Sequence, residues 1–358
     1  MIVDREQLLK ELESVTPGLS SREIIEQSSC FAFQNGVVAT YNEEISCFQS
    51  TCLKIQGSVQ AMKLLALLRK MTDKTVDITA GKAELRIKGK GRRRAGILME
   101  SKITLPIDSI KQPRKWIPLS DDFTEAVTMV ESCVGKDQTQ FHLTCVHLCP
   151  DWIEACDNVQ VARFVTKTNL RSKILVRREQ LKHVVSLGMT EFGKTREWLH
   201  FRNPNGLHLS CRLYIQEYPD IAPILKVTGT KTQLPKGIEK AVERASIFSE
   251  TNVNDNQVVV SISKGKVNIK GTGTSGWYSE TKRINYDGAP MCFTIPPFLL
   301  NEIVAKYDEC IINKNRLKIN VGKFSYVTVL GVLEDSVEGT PEKKKNRTKV
   351  RSGKKQVD

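Results

Sequence analysis

The chain has 358 residues, with 54 Lys and Arg against 40 Asp and Glu, a formal net charge of +14. A hydrophobic content of 40% with 26% charged residues excludes a disordered chain, and no apolar run reaches the roughly 18 residues a membrane helix needs. Ten cysteines at irregular spacing fit a reducing compartment better than a disulfide framework. The first helix pattern, DREQLLKELESV, opens at Asp4 and places Leu8, Leu9 and Leu12 at helical steps. It is charged where a signal peptide would be apolar, so a cytoplasmic protein is expected. Strand-like CFAFQNGVVATY follows, then a second helix pattern over 58–71 and the hairpin TVDITAGKAELRIKG. The same order returns from Ser120 and Asp121: a helix with Phe123, Ala126, Val127 and Val130, strand-like FHLTCVHLCPDWIEAC, a helix over 178–189, and the hairpin EWLHFRNPNGLHLSC. It returns again from Pro235: a helix with Ile238, Val242 and Ile247, strand-like VVVSISKGKVNIKG, a helix over 296–309, and CIINKNRLKINVG.

Helix, strands, helix, strands thus recur three times at roughly domain-sized spacing. The pattern predicts an α+β protein of three repeated helix-on-sheet domains, 1–115, 116–231 and 232–336, with turn-rich boundaries at KQPRKW and TGTKTQLPKG. Residues 337–358 hold 8 basic and 3 acidic groups with almost no large apolar side chains and read as a disordered basic tail. The remaining charge is uneven: the first third is +6, the middle third zero, and the last third +3. The positive excess points toward a polyanion without saying which.

Four segments carry a family resemblance. The run Ser210 to Asp220, SCRLYIQEYPD, resembles the segment that closes the middle domain of bacterial β sliding clamps, the DNA polymerase III β subunits. Ala155 to Ala162, ACDNVQVA, resembles their middle-domain strand and turn. LLKELESVTPGLSSREIIEQSS is similar to their first helix and the Arg-bearing loop after it, and Tyr326 to Leu333 sits where those clamps end. The resemblance covers about residues 3–333 in the same order. It implies a DNA clamp fold and a non-enzymatic processivity factor. Two head-to-tail copies would form a ring with helices inside, around double-stranded DNA. It also implies a replicative DNA polymerase and a clamp loader as partners, and no cofactor. Polar departures, such as Asn158-Val159-Gln160 where the family has Gly-His-Arg, suggest a version borne by a mobile element or phage.

The resemblance assigns residues to three surfaces. Facing DNA it places Arg22, Lys136, Arg177, Arg178 and Lys182, with Lys240 among further basic residues of the helix patterns, Lys63, Arg69, Lys70, Lys236 and Arg244. Such cations would attract phosphates without reading sequence. In a groove for partner peptides it places Val159, Gln160, Val161, Pro219, Ile224, Val327, Val329 and Leu330, although simple core packing explains the valines equally well. At the subunit joint it places Arg92, Arg94 and Ile97 against Ile247 and Phe248. The segment GTGTSGWYSETKRI that would meet the arginines offers only Glu280 beside Lys282 and Arg283.

Other signals argue for chemistry less well. Gly271 to Gly276 fits G-x-G-x-x-G but is followed by a strand-like rather than a helical segment, so a phosphate cradle is not expected. No P-loop is present, and a loader ATPase would be a separate protein. Alternation puts Cys145, His147 and Cys149 on one strand face, where a metal is conceivable but the spacing is not that of a zinc finger. Two alternatives to the processivity factor remain: a clamp-fold tether for repair or transcription proteins, and a metal- or thiol-dependent enzyme built on that Cys/His cluster.

Overall fold

The structure is a computed structural model that describes residues 1–23, 25–249 and 257–333; the basic tail lies outside them. Six α-helices occur among the described residues: α1 (Arg5–Ser14), α2 (Ala61–Lys70), α3 (Phe123–Val130), α4 (Arg178–Ser186), α5 (Ile238–Ser246) and α6 (Pro297–Lys306). They fall where the apolar periodicity put them and pack in pairs, α1 on α2, α3 on α4 and α5 on α6. Asp4 caps α1 by accepting from the Glu6 and Gln7 N–H groups at 3.0 and 2.9 Å. The α1 face that carries Leu8 and Leu12 and the α2 face that carries Leu64, Leu65 and Leu68 are buried. Glu11 is buried with them. It is satisfied by Gln7, by the Thr51 hydroxyl and by the Cys52 N–H, so its burial leaves no orphaned acceptor.

Two compact units make up the chain. The first is Met1–Thr228 together with Leu317–Val329. A twelve-stranded sheet runs through the first two thirds of the sequence, joined where His208–Arg212 pairs antiparallel with Ile45–Ser50, Leu209 opposite Cys47. A second sheet in this unit sets Ile174–Arg177, Cys145–Leu148, Trp152–Cys156 and Gln160–Val165 side by side. Phe324–Val329, far away in sequence, continues it by pairing with Gln160–Val165. One expected strand start is not a strand: Gln138–Thr144 forms two short 3-10 turns joined at Gln140, whose φ of −105° and ψ of 59° are not helical. Asp137 opens the first by accepting from the Thr139 N–H at 2.9 Å, and in the second the Thr144 hydroxyl donates to the Phe141 carbonyl at 2.7 Å, local bonds that outweigh the apolar alternation of Phe141, Leu143 and Cys145.

The second unit is Gly229–Arg316 with the chain from Leu330 onward. Its five-stranded sheet has the order Gly276–Arg283, Lys266–Gly273, Val258–Ser263, Met291–Ile295, Gly331–Val332. The helices α5 and α6 belong to this unit, and Ile238, Ala241, Val242, Leu299, Leu300 and Ile303 are their buried residues. The G-x-G-x-x-G segment is a hairpin, Gly273 opposite Gly276, and opens no helix.

Candidate nucleic-acid interface

The exposed faces of the helices carry the basic residues, and their ion pairs decide which charges stay free. On α2, Met62, Lys63, Ala66, Arg69 and Lys70 point outward, opposite the leucine face. Arg69 spends its charge on Glu13 of α1 at 2.8 Å. Lys63 and Lys70 have no carboxylate within pairing distance among the described residues. On α4, Lys182 lies 3.5 Å from Glu179, and Arg178, half-buried at the first helical position, lies 4.0 Å from Glu131. Arg177, just before it, is a structural anchor. It pairs with Glu44, donates to Gln138 at 3.3 Å and stands 5.5 Å over the Phe141 ring. Its charge is therefore neutralised inside the unit rather than offered outward, as the resemblance implied. Arg22 is exposed on a loop whose ends are tied by the Ser20 N–H to the Ser28 carbonyl at 2.9 Å. Lys136 is exposed on the turn before the 3-10 helix, beside the bond from the Gly135 N–H to the Leu143 carbonyl.

In the second unit, α5 starts at Ile238, two residues after Lys236, so Lys236 precedes the helix instead of lying on it. Lys236 and Lys240 are exposed and free of carboxylates among the described residues. Arg244 is not free: Glu280 holds it at 2.5 Å, and its Nε donates to the Tyr278 hydroxyl at 2.7 Å. These same partners hold the Glu280 carboxyl below its ordinary range, the Tyr278 hydroxyl bond first and Arg244 second.

The eight groove residues separate by burial. Val161 and Val327, directly paired, are buried in a cluster with Leu143, Cys156, Ile221, Leu225 and Val227. Ile224 and Tyr218 pack on the edge of that cluster. Val159, in the turn just before Gln160–Val165, and Val329, the last residue of Phe324–Val329, are 42% and 48% exposed, and Pro219 is exposed too. Gln160 is buried and fully used. Its amide nitrogen donates to the Ser132 carbonyl and to Asp157, and its oxygen accepts from the Tyr326 hydroxyl at 3.0 Å. An apolar floor with a rim of exposed valines and a proline results, all within the first unit. Leu330 belongs to the second unit, where it is buried and its N–H bonds to the Asn315 carbonyl.

Each unit also has an unpaired strand edge. In Arg94–Glu100 only Met99 and Glu100 pair with Gly57–Gln60, leaving the 94–98 stretch open on that side among the described residues. There Leu98 is 84% exposed and Ile97 is half-buried. Arg92 and Arg94 have no acidic partner among the described residues, whereas Arg93 is held by Asp73 at 2.8 Å. In the second unit, Gly276–Arg283 is the edge of the five-stranded sheet, with Trp277 67% exposed. Ile247, at the end of α5, is 65% exposed and Phe248 is half-buried.

The Cys/His cluster differs from its expected membership. Cys145 turns to the Phe141 carbonyl (3.7 Å), and Glu154 joins His147 and Cys149 instead. Both carboxylate oxygens of Glu154 are taken, one by His147 Nδ1 at 2.7 Å and the other by Arg163 at 2.6 Å. Burial pushes the Cys149 thiol up to about 12, far from the thiolate that a nucleophilic step needs. The three residues are a buried polar network closed by Arg163.

No known protein family matches the sequence, and no curated protein does. Solved structures do match, and their class is that of the DNA sliding clamps. The clamp (DNA polymerase III subunit β) of Bartonella birtlesii, bound to griselimycin, aligns over 93% of this chain and 99% of its own, with a TM-score of 0.81 and 16% identity. The β chain of Streptococcus pneumoniae DNA polymerase III aligns over 92% and 98%, at 0.81 and 14%. The griselimycin-bound clamp of Pseudomonas aeruginosa aligns over 93% and 99%, at 0.78 and 14%. The chain has the fold of these clamps, as its four sequence segments implied.

Proposed function

We propose that two copies of this chain close head to tail into a ring around duplex DNA, and that the ring tethers the replicative DNA polymerase. One observation carries this: the clamp fold extends over 93% of the chain and nearly all of the matched clamps. The free lysines support it. Lys63 and Lys70 on α2 and Lys240 on α5 are where helices would face a duplex, with Arg22 and Lys136 on neighbouring loops; Lys182 on α4 adds a cation that is paired with Glu179 at 3.5 Å. Scattered unpaired cations attract phosphates and let the ring slide, while topology supplies residence. The joint would set the open edge at 94–98 of one copy against the 276–283 edge of the other. Edge-to-edge pairing satisfies both backbones and covers Leu98 and Trp277, and a heterologous contact of this kind must close to avoid a filament. Partner peptides would anchor over Val161, Val327 and Ile224, between Val159, Pro219 and Val329. Loading is the work of a separate ATPase, and the clamp itself performs no chemistry.

The test is primer extension on singly primed circular DNA, with the cognate polymerase and loader. The proposal predicts longer products per binding event when the chain is present. Unchanged product length, from a chain that still dimerises and binds duplex, leaves it as a clamp-fold tether for other enzymes.

A further inference from the structure

The middle third of the sequence has zero net charge, but the structure segregates its charges. Three basic segments converge on one cavity of about 790 Å3 in the first unit. The first supplies Lys111, Arg114 and Lys115. The loop after Gln160–Val165 supplies Arg171 and, in the adjoining depression, Lys173. The hairpin of Glu191–Lys194 with Trp198–Arg202 supplies Lys194 and Arg196, which line both depressions. All seven side chains are exposed, and none has a carboxylate within ion-pair distance among the described residues. Glu197, the acidic residue of the cavity, is already engaged by Arg212 at 3.3 Å.

The cavity is built rather than incidental. A Cβ on Gly193 would stand 2.5 Å from Pro113 Cγ and 2.8 Å from the Lys115 carbonyl, so the first segment lies directly on the hairpin strand. Ile117 pairs opposite Phe192. Asn169, in the left-handed region at φ 62°, donates to the Pro118 carbonyl at 3.2 Å, and Lys194 donates to the Ser172 hydroxyl at 2.8 Å. These bonds hold the loop against both other segments. The floor is apolar: Pro113, Ile117, Leu170 and Trp198. No residue of α1 to α4 lines the cavity, so it is separate from the helix faces assigned to duplex DNA.

We propose that this cavity binds single-stranded nucleic acid. A cationic rim around an apolar floor matches a strand whose phosphates lie on Lys and Arg while an unstacked base rests on the floor. A duplex hides its bases and would leave the floor unused. Free cations in this number, three of them arginines, one on each segment, suit repeated phosphates better than the mixed charges of a protein partner. The site does not depend on ring closure and stands whether or not the clamp reading does.

Fluorescence anisotropy with a labelled oligothymidylate, titrated into the full-length protein over a salt series, tests it. The triple variant K111E/R171E/R196E removes three phosphate contacts. It is expected to bind about 100-fold more weakly near 0.1 M salt, with a log–log salt slope flatter by about 2. The milder R196A, which changes one exposed side chain, is expected to lose about fivefold. K264E/K314E, two exposed lysines of the second unit outside the surfaces named above, should leave oligothymidylate binding within about threefold; both variants keep the basic tail, so the difference belongs to the cavity. Oligouridylate and oligothymidylate as competitors separate an RNA strand from a DNA strand. Triple-variant binding within about threefold of the parent overturns the proposal. So does displacement by polyglutamate, or by an equal length of duplex, as effective as that by the unlabelled strand.

Discussion

Leu98→Ala is the sharpest perturbation of the proposed ring joint. Leu98 is 84% exposed in the protomer, so truncating it removes little that the protomer's own fold uses. If the joint covers it, the change forfeits most of the burial of one leucine, about 2 kcal/mol per joint. A closed two-copy ring has two identical joints, so the total is about 4 kcal/mol, or roughly a 10³-fold rise in the dimer dissociation constant. Sedimentation equilibrium over a concentration series reads this directly, with thermal unfolding of the dilute monomer as the control. The reasoning requires a weakened dimer from a monomer of unchanged stability. A Leu98→Ala protein that dimerises like the parent refutes the edge-to-edge joint.

Further outcomes follow from the same structure. Arg92 and Arg94 find no acidic partner in their own copy, and Glu280 is committed to Arg244, so like charges would face each other across the joint; added salt should therefore tighten the dimer while it weakens DNA binding, and a dimer loosened by salt contradicts this. Lys63→Ala with Lys240→Ala should flatten the salt slope of duplex binding by about 0.9 for each contact removed, whereas Arg177→Ala should lower unfolding stability because Glu44 is left without its partner. His200 is buried between the Thr195 and Ser210 hydroxyls, and burial lowers its pKa to about 4 from 6.5. Because the folded value is the depressed one, its contribution is complete above pH 6.5 and is lost as the pH falls towards 4. That loss amounts to about 3 kcal/mol, and urea titrations should show it in the parent but not in His200→Gln. Gln160→Ala removes the side-chain bonds to the Ser132 carbonyl, Asp157 and the Tyr326 hydroxyl and should cost about 1–3 kcal/mol in the same assay.

Local signals were readable in the sequence and distant partners were not. Apolar periodicity located all six helices, and the Asp4 cap sets the start of α1. Alternation does not sort the groove: residues two apart share a strand face, yet Val161 and Val327 are buried while Val159, just before its strand, and Val329, at the end of its strand, are exposed. Phe141 to Thr144 misled because a capped 3-10 turn and a strand share an apolar spacing over so few residues. The place of Phe324–Val329 beside Gln160–Val165 leaves no local trace, since pairing partners more than 150 residues apart carry no mutual spacing. The same holds for the basic residues: Arg177 meets Glu44 from 133 residues away. A charge written in the sequence becomes a binding group only if the fold leaves it unpaired. The His147–Glu154 contact was within reach, because the two stand opposite each other across one hairpin. The basic cavity had a signal too, the Lys-Thr-Arg, Arg-Ser-Lys and Lys-Gln-Pro-Arg-Lys runs, hidden by summing charge over thirds.

Topological linkage is the centre of the account, and retention on DNA measures it without a polymerase or a loader. Chemically cross-linked dimers, closed in the presence of nicked circular plasmid, should stay bound through a high-salt wash and be released when a restriction enzyme linearises the plasmid. Release of the cross-linked protein from circular and linear DNA at the same salt would show that it holds DNA by charge alone and encircles nothing.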